Sequence, residues 1–164
     1  MEVKQVVQKA EELAVTKSDV IIRDVSVTDG KKLAEMEAQI FTDCWSEKSI
    51  FETIQNSSTY CFVAESRGKV IGYLLAYILA DEVEITRIAV VEAYRRRGIG
   101  EQLLKMLRNN CLEKGYTKLL LDVREGNVVA QVFYQNIGFV IDGVRSSYYQ
   151  NPTEDAVLMS CRID

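Results

Sequence analysis

The sequence predicts an α/β (α+β) domain: a mixed, mostly antiparallel central sheet of about seven strands with helices on both faces. Three observations predict it. Short apolar runs alternate with segments whose apolar residues recur at spacings of three and four, in the order β-α-α-β-β-β-α-β-α-β-β. Three consecutive strand-like runs are joined by short turns, which implies an antiparallel meander, and the helical segment after them brings the next strand in parallel. No internal repeat or low-complexity linker interrupts the 164 residues, a length suited to one domain with a real core.

Taken in order, residues 1–17 carry Val3, Val6, Val7, Ala10 and Leu13 at helical spacing, so 1–18 reads as an N-terminal helical extension and 19–164 as a single domain. Val20 to Val25 reads as a strand and Ser26-Val-Thr-Asp-Gly30 as a capping turn. Lys31 to Phe41 bears the stripe Leu33, Met36, Ile40, and Ser46 is the N-cap of a second short helix. Between them, Phe41-Thr-Asp-Cys-Trp45 is either a hydrophobic staple or one wall of a peptide groove. Tyr60 to Ser66, Arg67-Gly68 and Lys69 to Leu79 form a β-hairpin, the glycine supplying the positive φ of the turn. Val83 to Val91 is the third strand of the meander.

Gly98 to Glu113 lines up Ile99, Leu103, Leu107 and Cys111, with Leu104 and Leu112 beside them, as a core-facing helix that Gly115 ends. Lys118 to Val123 is apolar almost throughout, the mark of a central strand. Asn127 caps a helix over Val128 to Asn136, which Gly138 stops. Phe139 to Val144 is a strand, Ser146 to Pro152 a loop holding Tyr148 and Tyr149, and Ala156 to Ile163 the last strand.

Composition removes whole classes of chemistry. The chain has no histidine, so Ser-His-Asp and Cys-His catalysis and histidine-ligated metal sites are excluded. Any base must be Asp, Glu, Lys, Tyr or water. Cys44, Cys61, Cys111 and Cys161 lie far apart, without metal-ligand or redox spacing, and read as reduced. The net charge of −4 argues against broad nucleic-acid binding. No apolar run suits a membrane span and the N-terminus is too charged for a signal core, so the expected location is cytoplasmic.

One corner stands out: the strand Ile85 to Val91, a short turn with Arg95-Arg96-Arg97, then Gly98 and Gly100 opening a helix. Unpaired amides at a helix start, with glycines that keep no Cβ in the way, form an anion cradle. It is not a nucleotide-hydrolysing loop, because Glu101 and Gln102 stand where Lys and Ser or Thr are needed, nor a dinucleotide fingerprint, because position 103 is Leu103 rather than glycine.

The pattern Arg95-x-x-Gly98-x-Gly100 in that setting resembles the acyl-CoA signature of the GNAT superfamily of N-acetyltransferases, and the element order is similar from Val20 to Ile163. Cys44-Trp-Ser-Glu-Lys48, Leu121-Asp-Val-Arg124 with Asn127, and Tyr134-x-x-x-Gly138-Phe139 followed by Arg145-x-x-Tyr148-Tyr149 look like the bacterial ribosomal-protein-alanine N-acetyltransferases within it. The resemblance implies acetyl-CoA as co-substrate, no metal, and direct attack by an amine in a ternary complex. It places the base at Asp122, where that branch usually carries Glu, and the acid at Tyr134. Glu84, on the strand before the cradle, is the substitute base. Backbone groups of Ile88, Ala89 and Val90 would pair with the pantetheine arm, Val90 N–H lying near the thioester oxygen. Arg96, Arg97, Gly98, Ile99, Gly100 and Glu101 would hold the diphosphate, and Asn127 would reach the cofactor arm or simply cap its helix.

The implied acceptor is a protein N-terminus, the N-terminal alanine of a small-subunit ribosomal protein, in an open groove lined by Trp45, Tyr148 and Tyr149. A polyamine, aminoglycoside or amino acid acceptor would instead want a closed acidic pocket. A non-catalytic acyl-CoA sensor would keep the cradle without the base.

Overall fold

Hydrophobic alternation resolves into seven strands of one sheet in the computed structural model, which describes residues 5, 9, 15, 16 and 19–164. The expected helix over residues 1–17 lies outside the described residues, apart from Gln5 and Lys9, which are helical, and Val15 and Thr16. The strands are β1 (Val20–Asp24), β2 (Thr59–Ser66), β3 (Lys69–Leu79), β4 (Glu82–Val90), β5 (Lys118–Arg124), β6 (Val140–Tyr149) and β7 (Glu154–Arg162), arranged β1-β2-β3-β4-β5-β7-β6. Only β4 and β5 pair in parallel; the other neighbours are antiparallel. The mixed, mostly antiparallel sheet is therefore as the sequence predicts. At the tip of the β2–β3 hairpin both Arg67 (φ 50°) and Gly68 (φ 75°) are left-handed, the pair a type I′ turn requires.

Four α-helices lie wholly within the described residues and cover the sheet: α1 (Gly30–Ile40), α2 (Glu47–Gln55), α3 (Ile99–Lys114) and α4 (Val128–Asn136). Ser46 caps α2 by accepting from Ser49 N–H at 3.1 Å, and Asn127 caps α4 by accepting from Ala130 N–H at 3.2 Å. The larger core lies under α3 and α4, where Ile99, Leu103, Leu104, Leu107 and Cys111 of α3 meet Leu74, Ala76, Val83 and Ile85. Each such leucine contributes about 1.5–3 kcal/mol by leaving water. The smaller core lies under α1 and α2 and is built from Leu33, Met36 and Ile50 against Val63, Tyr73, Leu75 and Ala89. It contains no residue of β5, β6 or β7.

Two features of the sheet position the site. The β3–β4 register shifts between Leu75 and Ala76, whose partners are Arg87 and Ile85, so Thr86 is an extra residue. The bulge inverts the side-chain alternation: Val83 and Ile85, then Ile88 and Val90, all meet the larger core, whereas Ala89 faces the smaller one. The second feature is a fork. β4 and β5 pair only over Glu82–Ile85 and Lys118–Leu121, and beyond Ile85 and Leu121 they part.

One expectation is corrected. Tyr148 and Tyr149 do not sit in a loop from Ser146 to Pro152; β6 continues through them to Tyr149, and β7 begins at Glu154. Arg124 explains the longer hairpin, because it donates to the carbonyls of Gln150 (3.0 Å) and Pro152 (3.2 Å) and stacks over the Tyr149 ring at 4.4 Å. Asp155 adds a brace by accepting from Ser147 N–H at 2.7 Å. Among the described residues, no helix is long and apolar enough to cross a membrane.

Candidate active site

A groove of about 540 Å³ opens beside the fork, on the α1 and α2 face. Asp43 and Trp45 of the α1–α2 connection form one wall, Tyr148 and Tyr149 of β6 the other, and Glu84, Arg87 and Asp122 the floor. Glu84 precedes the last paired residue of β4 and Asp122 follows the last paired residue of β5, so the two carboxylates flank the point where the strands part. Burial raises the Glu84 pKa, the Asp122 charge raises it further, and Arg145 opposes both.

The arginine beside Asp122 comes from another strand. Arg145 of β6 stands 4.0 Å from Asp122 and lies over the Tyr148 ring at 4.9 Å, whereas Arg124 turns to Glu154 and Tyr149. Desolvation, with the charges of Asp122 and Tyr148, pushes Tyr149 up to about 12, so its phenol stays a donor through the neutral range.

The Trp45 wall is fixed by a buried carboxylate that the sequence analysis did not single out. Glu37 on α1 is fully buried. Its Oε1 accepts from Tyr73 Oη at 2.7 Å and its Oε2 from Trp45 N–H at 2.9 Å. Arg87 Nε lies 3.1 Å from Glu37 Oε1 as an ion pair, without the alignment of a hydrogen bond. Arg87 also donates to Asp43 O at 2.9 Å and lies over the rings of Phe41 (4.7 Å) and Trp45 (5.0 Å). A glutamate on an amphipathic helix reads as solvent-facing; only the tyrosine and arginine that the sheet brings under it reveal otherwise.

Tyr134 approaches from α4, on the opposite face. It is the buried residue of α4, with ring contacts to Phe133 (5.3 Å) and Phe139 (5.5 Å). Val129 on the same helix is 79 % exposed, and Tyr134 itself fills the core position. Burial, with a smaller contribution from Tyr149, raises the phenol well above its usual value.

Beyond the fork, β4 runs into the cradle. Val91 N–H donates to Ile71 O across to β3 at 2.9 Å, so strand alternation turns the backbone groups of Val90 and Ile88 to the open side and those of Ala89 to β3. The Val90 carbonyl accepts from Arg95 Nε at 2.9 Å, which leaves its N–H directed at the gap. Arg96 (φ 61°) and Gly98 (φ 74°) are both left-handed, curling the turn so that α3 begins at Ile99 facing the gap. Arg97 donates to Val15 O at 3.1 Å and lies over the Tyr94 ring at 5.6 Å, while Glu101 sits in the first turn of α3. Gly100 has a packing reason the sequence did not disclose: a Cβ there would stand 3.2 Å from the Phe133 ring. Outward-facing backbone groups of Ile88 and Val90, followed by a helix start with two left-handed residues, suit an extended acyl-carrier arm with an anionic group at its end.

A profile of the Acetyltransferase (GNAT) family matches residues 30–139, from α1 through the fork and cradle to the end of α4. The chain belongs to the GNAT family of acetyltransferases. It is similar to the putative ribosomal protein bS18-alanine N-acetyltransferase of Bacillus subtilis strain 168, with 33% identity over 144 residues, 87% of this chain and 95% of the relative. The bS18-alanine N-acetyltransferase of Haemophilus influenzae is 32% identical over 86% of this chain and 97% of its own length. The crystal structure of the Escherichia coli ribosomal-protein-S18-alanine N-acetyltransferase superposes with a TM-score of 0.82 at 28% identity, covering 88% of this chain and 94% of that one.

As a GNAT enzyme the chain is an acetyl-CoA-dependent N-acetyltransferase. Acetyl-CoA supplies an activated acetyl group as a thioester. Among the described residues no cluster of His, Cys, Asp and Glu could hold a metal ion.

Proposed function

We propose that this GNAT enzyme acetylates the α-amino group of a protein N-terminus, and that its acceptor is the N-terminal alanine of a small-subunit ribosomal protein. The observation that carries the reading is the open groove at the fork, walled by Trp45 and by Tyr148 and Tyr149, which admits an extended chain end rather than enclosing a small amine. The names and 30–33% identities of its relatives support the ribosomal acceptor.

An α-amine has a reference pKa of about 7.7–8.0 against about 10.4 for lysine, so a carboxylate suffices to take its proton near neutrality. Glu84 and Asp122 share that work at the mouth of the fork. Glu84, held above the usual glutamate range by burial and by Asp122, is the stronger proton acceptor, and Asp122, one methylene shorter than the glutamate usual in the branch, orients the ammonium. Val90 N–H, aimed into the gap, polarises the thioester carbonyl. Ile88 pairs with the pantetheine arm, and Ala89 keeps its neighbours aligned from the β3 side. Arg96, Arg97, Gly98, Ile99, Gly100 and Glu101 receive the diphosphate, and Asn127 adds a polar contact beyond its capping role. Tyr134 gives its proton to the departing sulfur; a phenol held neutral by burial is always loaded with that proton.

Tyr134→Phe keeps the ring contacts to Phe133 and Phe139, so melting stays near wild type while kcat falls by about 10²-fold or more. Unchanged turnover in a folded Tyr134→Phe enzyme would remove the phenol from the mechanism.

The acceptor is tested by offering radiolabelled acetyl-CoA with three substrates: a peptide bearing the N-terminal sequence of bS18 from the same organism, its Nα-blocked form carrying an internal lysine, and a set of polyamines and amino acids. Transfer to the free peptide alone is expected. Transfer to the small amines with none to the peptide overturns the reading.

A further inference from the structure

The acceptor wall and the loop leading into α4 are joined through one carboxylate. Glu154, the first residue of β7, accepts on Oε1 from Arg124 Nη1 at 3.2 Å and on Oε2 from Gly126 N–H at 2.6 Å. On the groove side, Arg124 stacks on Tyr149 and donates to Gln150 O and Pro152 O, closing the β6–β7 turn. On the cofactor side, Gly126 leads to Asn127, whose N–H donates to Arg124 O at 2.9 Å and whose side chain caps α4. Gln131 locks the same loop by donating to Arg124 O (3.1 Å) and Glu125 O (2.7 Å). The packing is close: a Cβ on Gly126 would stand 2.6 Å from Glu154 Oε2.

A carboxylate accepts on both oxygens, whereas a glutamine of the same shape must turn an NH₂ donor toward one of the two donors. We infer that Glu154 is a positioning residue that holds the Tyr149 wall and the Asn127 loop at a fixed separation, so that the amine and the thioester meet at the fork. The inference rests on the reading of that wall as the acceptor side. Glu154 touches neither reactant. It acts through Arg124 and Gly126.

The test is Glu154→Gln in the full chain, read by calorimetric Kd for acetyl-CoA, by KM for whichever acceptor the wild type turns over best, and by the thermal midpoint. Loss of one hydrogen bond to a charged group predicts a roughly tenfold rise in acceptor KM and a roughly three- to tenfold weaker acetyl-CoA Kd, with a smaller change in kcat. If Glu154→Gln does not fold, Gly126→Ala carries the test alone, and both constants unchanged in that folded variant would overturn the inference. Gly126→Ala drives a methyl against the carboxylate and is expected to raise the same two constants in the wild type, yet to add nothing in a Glu154→Ala background. A lowered midpoint with both constants unchanged, or a Gly126→Ala effect equal in the two backgrounds, overturns the inference. The acetyl-CoA measurement needs no acceptor, so a wrong acceptor assignment and a wrong role for Glu154 give different results.

Discussion

Glu84→Gln combined with Asp122→Asn lowers kcat by about 10²–10⁴-fold, the range expected when a positioned base is removed. Each single variant loses less, because the remaining carboxylate still faces the amine at the mouth of the fork. The pH dependence separates their roles. Glu84 accepts a proton only when ionised, and burial together with the Asp122 charge keeps its proton on to higher pH than is usual for glutamate. The acid limb of kcat/KM in the wild type therefore lies above the ordinary glutamate range. Asp122→Asn removes a repelling charge and moves that limb to lower pH; Arg145→Ala removes the opposing cation and moves it to higher pH. The limb is read on the residual activity of each folded variant. An acid limb that stays put in both, or a double variant with wild-type kcat, excludes this pair as the base.

The second large effect is on stability. Glu37→Ala is expected to cost about 3 kcal/mol, because Arg87, 13 % exposed, loses the nearer of its two carboxylate partners and keeps only Asp43 at 3.8 Å. Two further groups lose their acceptor, the Tyr73 hydroxyl and the Trp45 amide. The check is the urea midpoint at constant slope, and a change under about 1 kcal/mol would show that Arg87 finds relief elsewhere. Removing both charges, as Glu37→Ala with Arg87→Met, is expected to recover much of the loss, since replacing a buried ion pair by apolar volume is often neutral. The double variant then separates stability from function: it folds, but its Asp43–Trp45 wall has lost two tethers, so KM for the acceptor stays raised while Kd for acetyl-CoA does not change.

Most of the fold was legible because each element carried its own pattern. The stripe of Ile99, Leu103, Leu107 and Cys111 named a core helix, and the apolar run at Leu119–Leu121 named a central strand. The glycine corner was legible for a related reason, since Gly98 takes a left-handed conformation that few residues adopt. What stayed hidden depends on contacts between distant segments. The far half of β6 is exposed on nearly every residue, so Ser146 to Tyr149 shows no alternation; its extended form comes from Arg124 and Asp155 across the hairpin. On α4, Val128, Val129 and Val132 are apolar yet exposed, so its apolar residues do not mark the core face, and Tyr134 is the buried one. Glu37 and Glu154 left no trace because their partners lie 36 and 28 residues away. The pairing of Asp122 with Arg145 across β7 was hidden in the same way.

The inserted residue at Thr86 gives β4 two phases in series. Upstream of it, odd positions look toward α3; downstream, even positions do. Deleting one residue between Ile85 and Ile88 would thus straighten the strand and leave Ile88 and Val90 on the α3 side, whereas losing the bulge at constant length would turn the whole distal half over, sending the Ile88 and Val90 side chains toward Trp45 and the Ala89 methyl toward Leu103. Any comparison that slides a gap across this point exchanges inside for outside, and any redesign of the enzyme's selectivity has to keep the kink where it is.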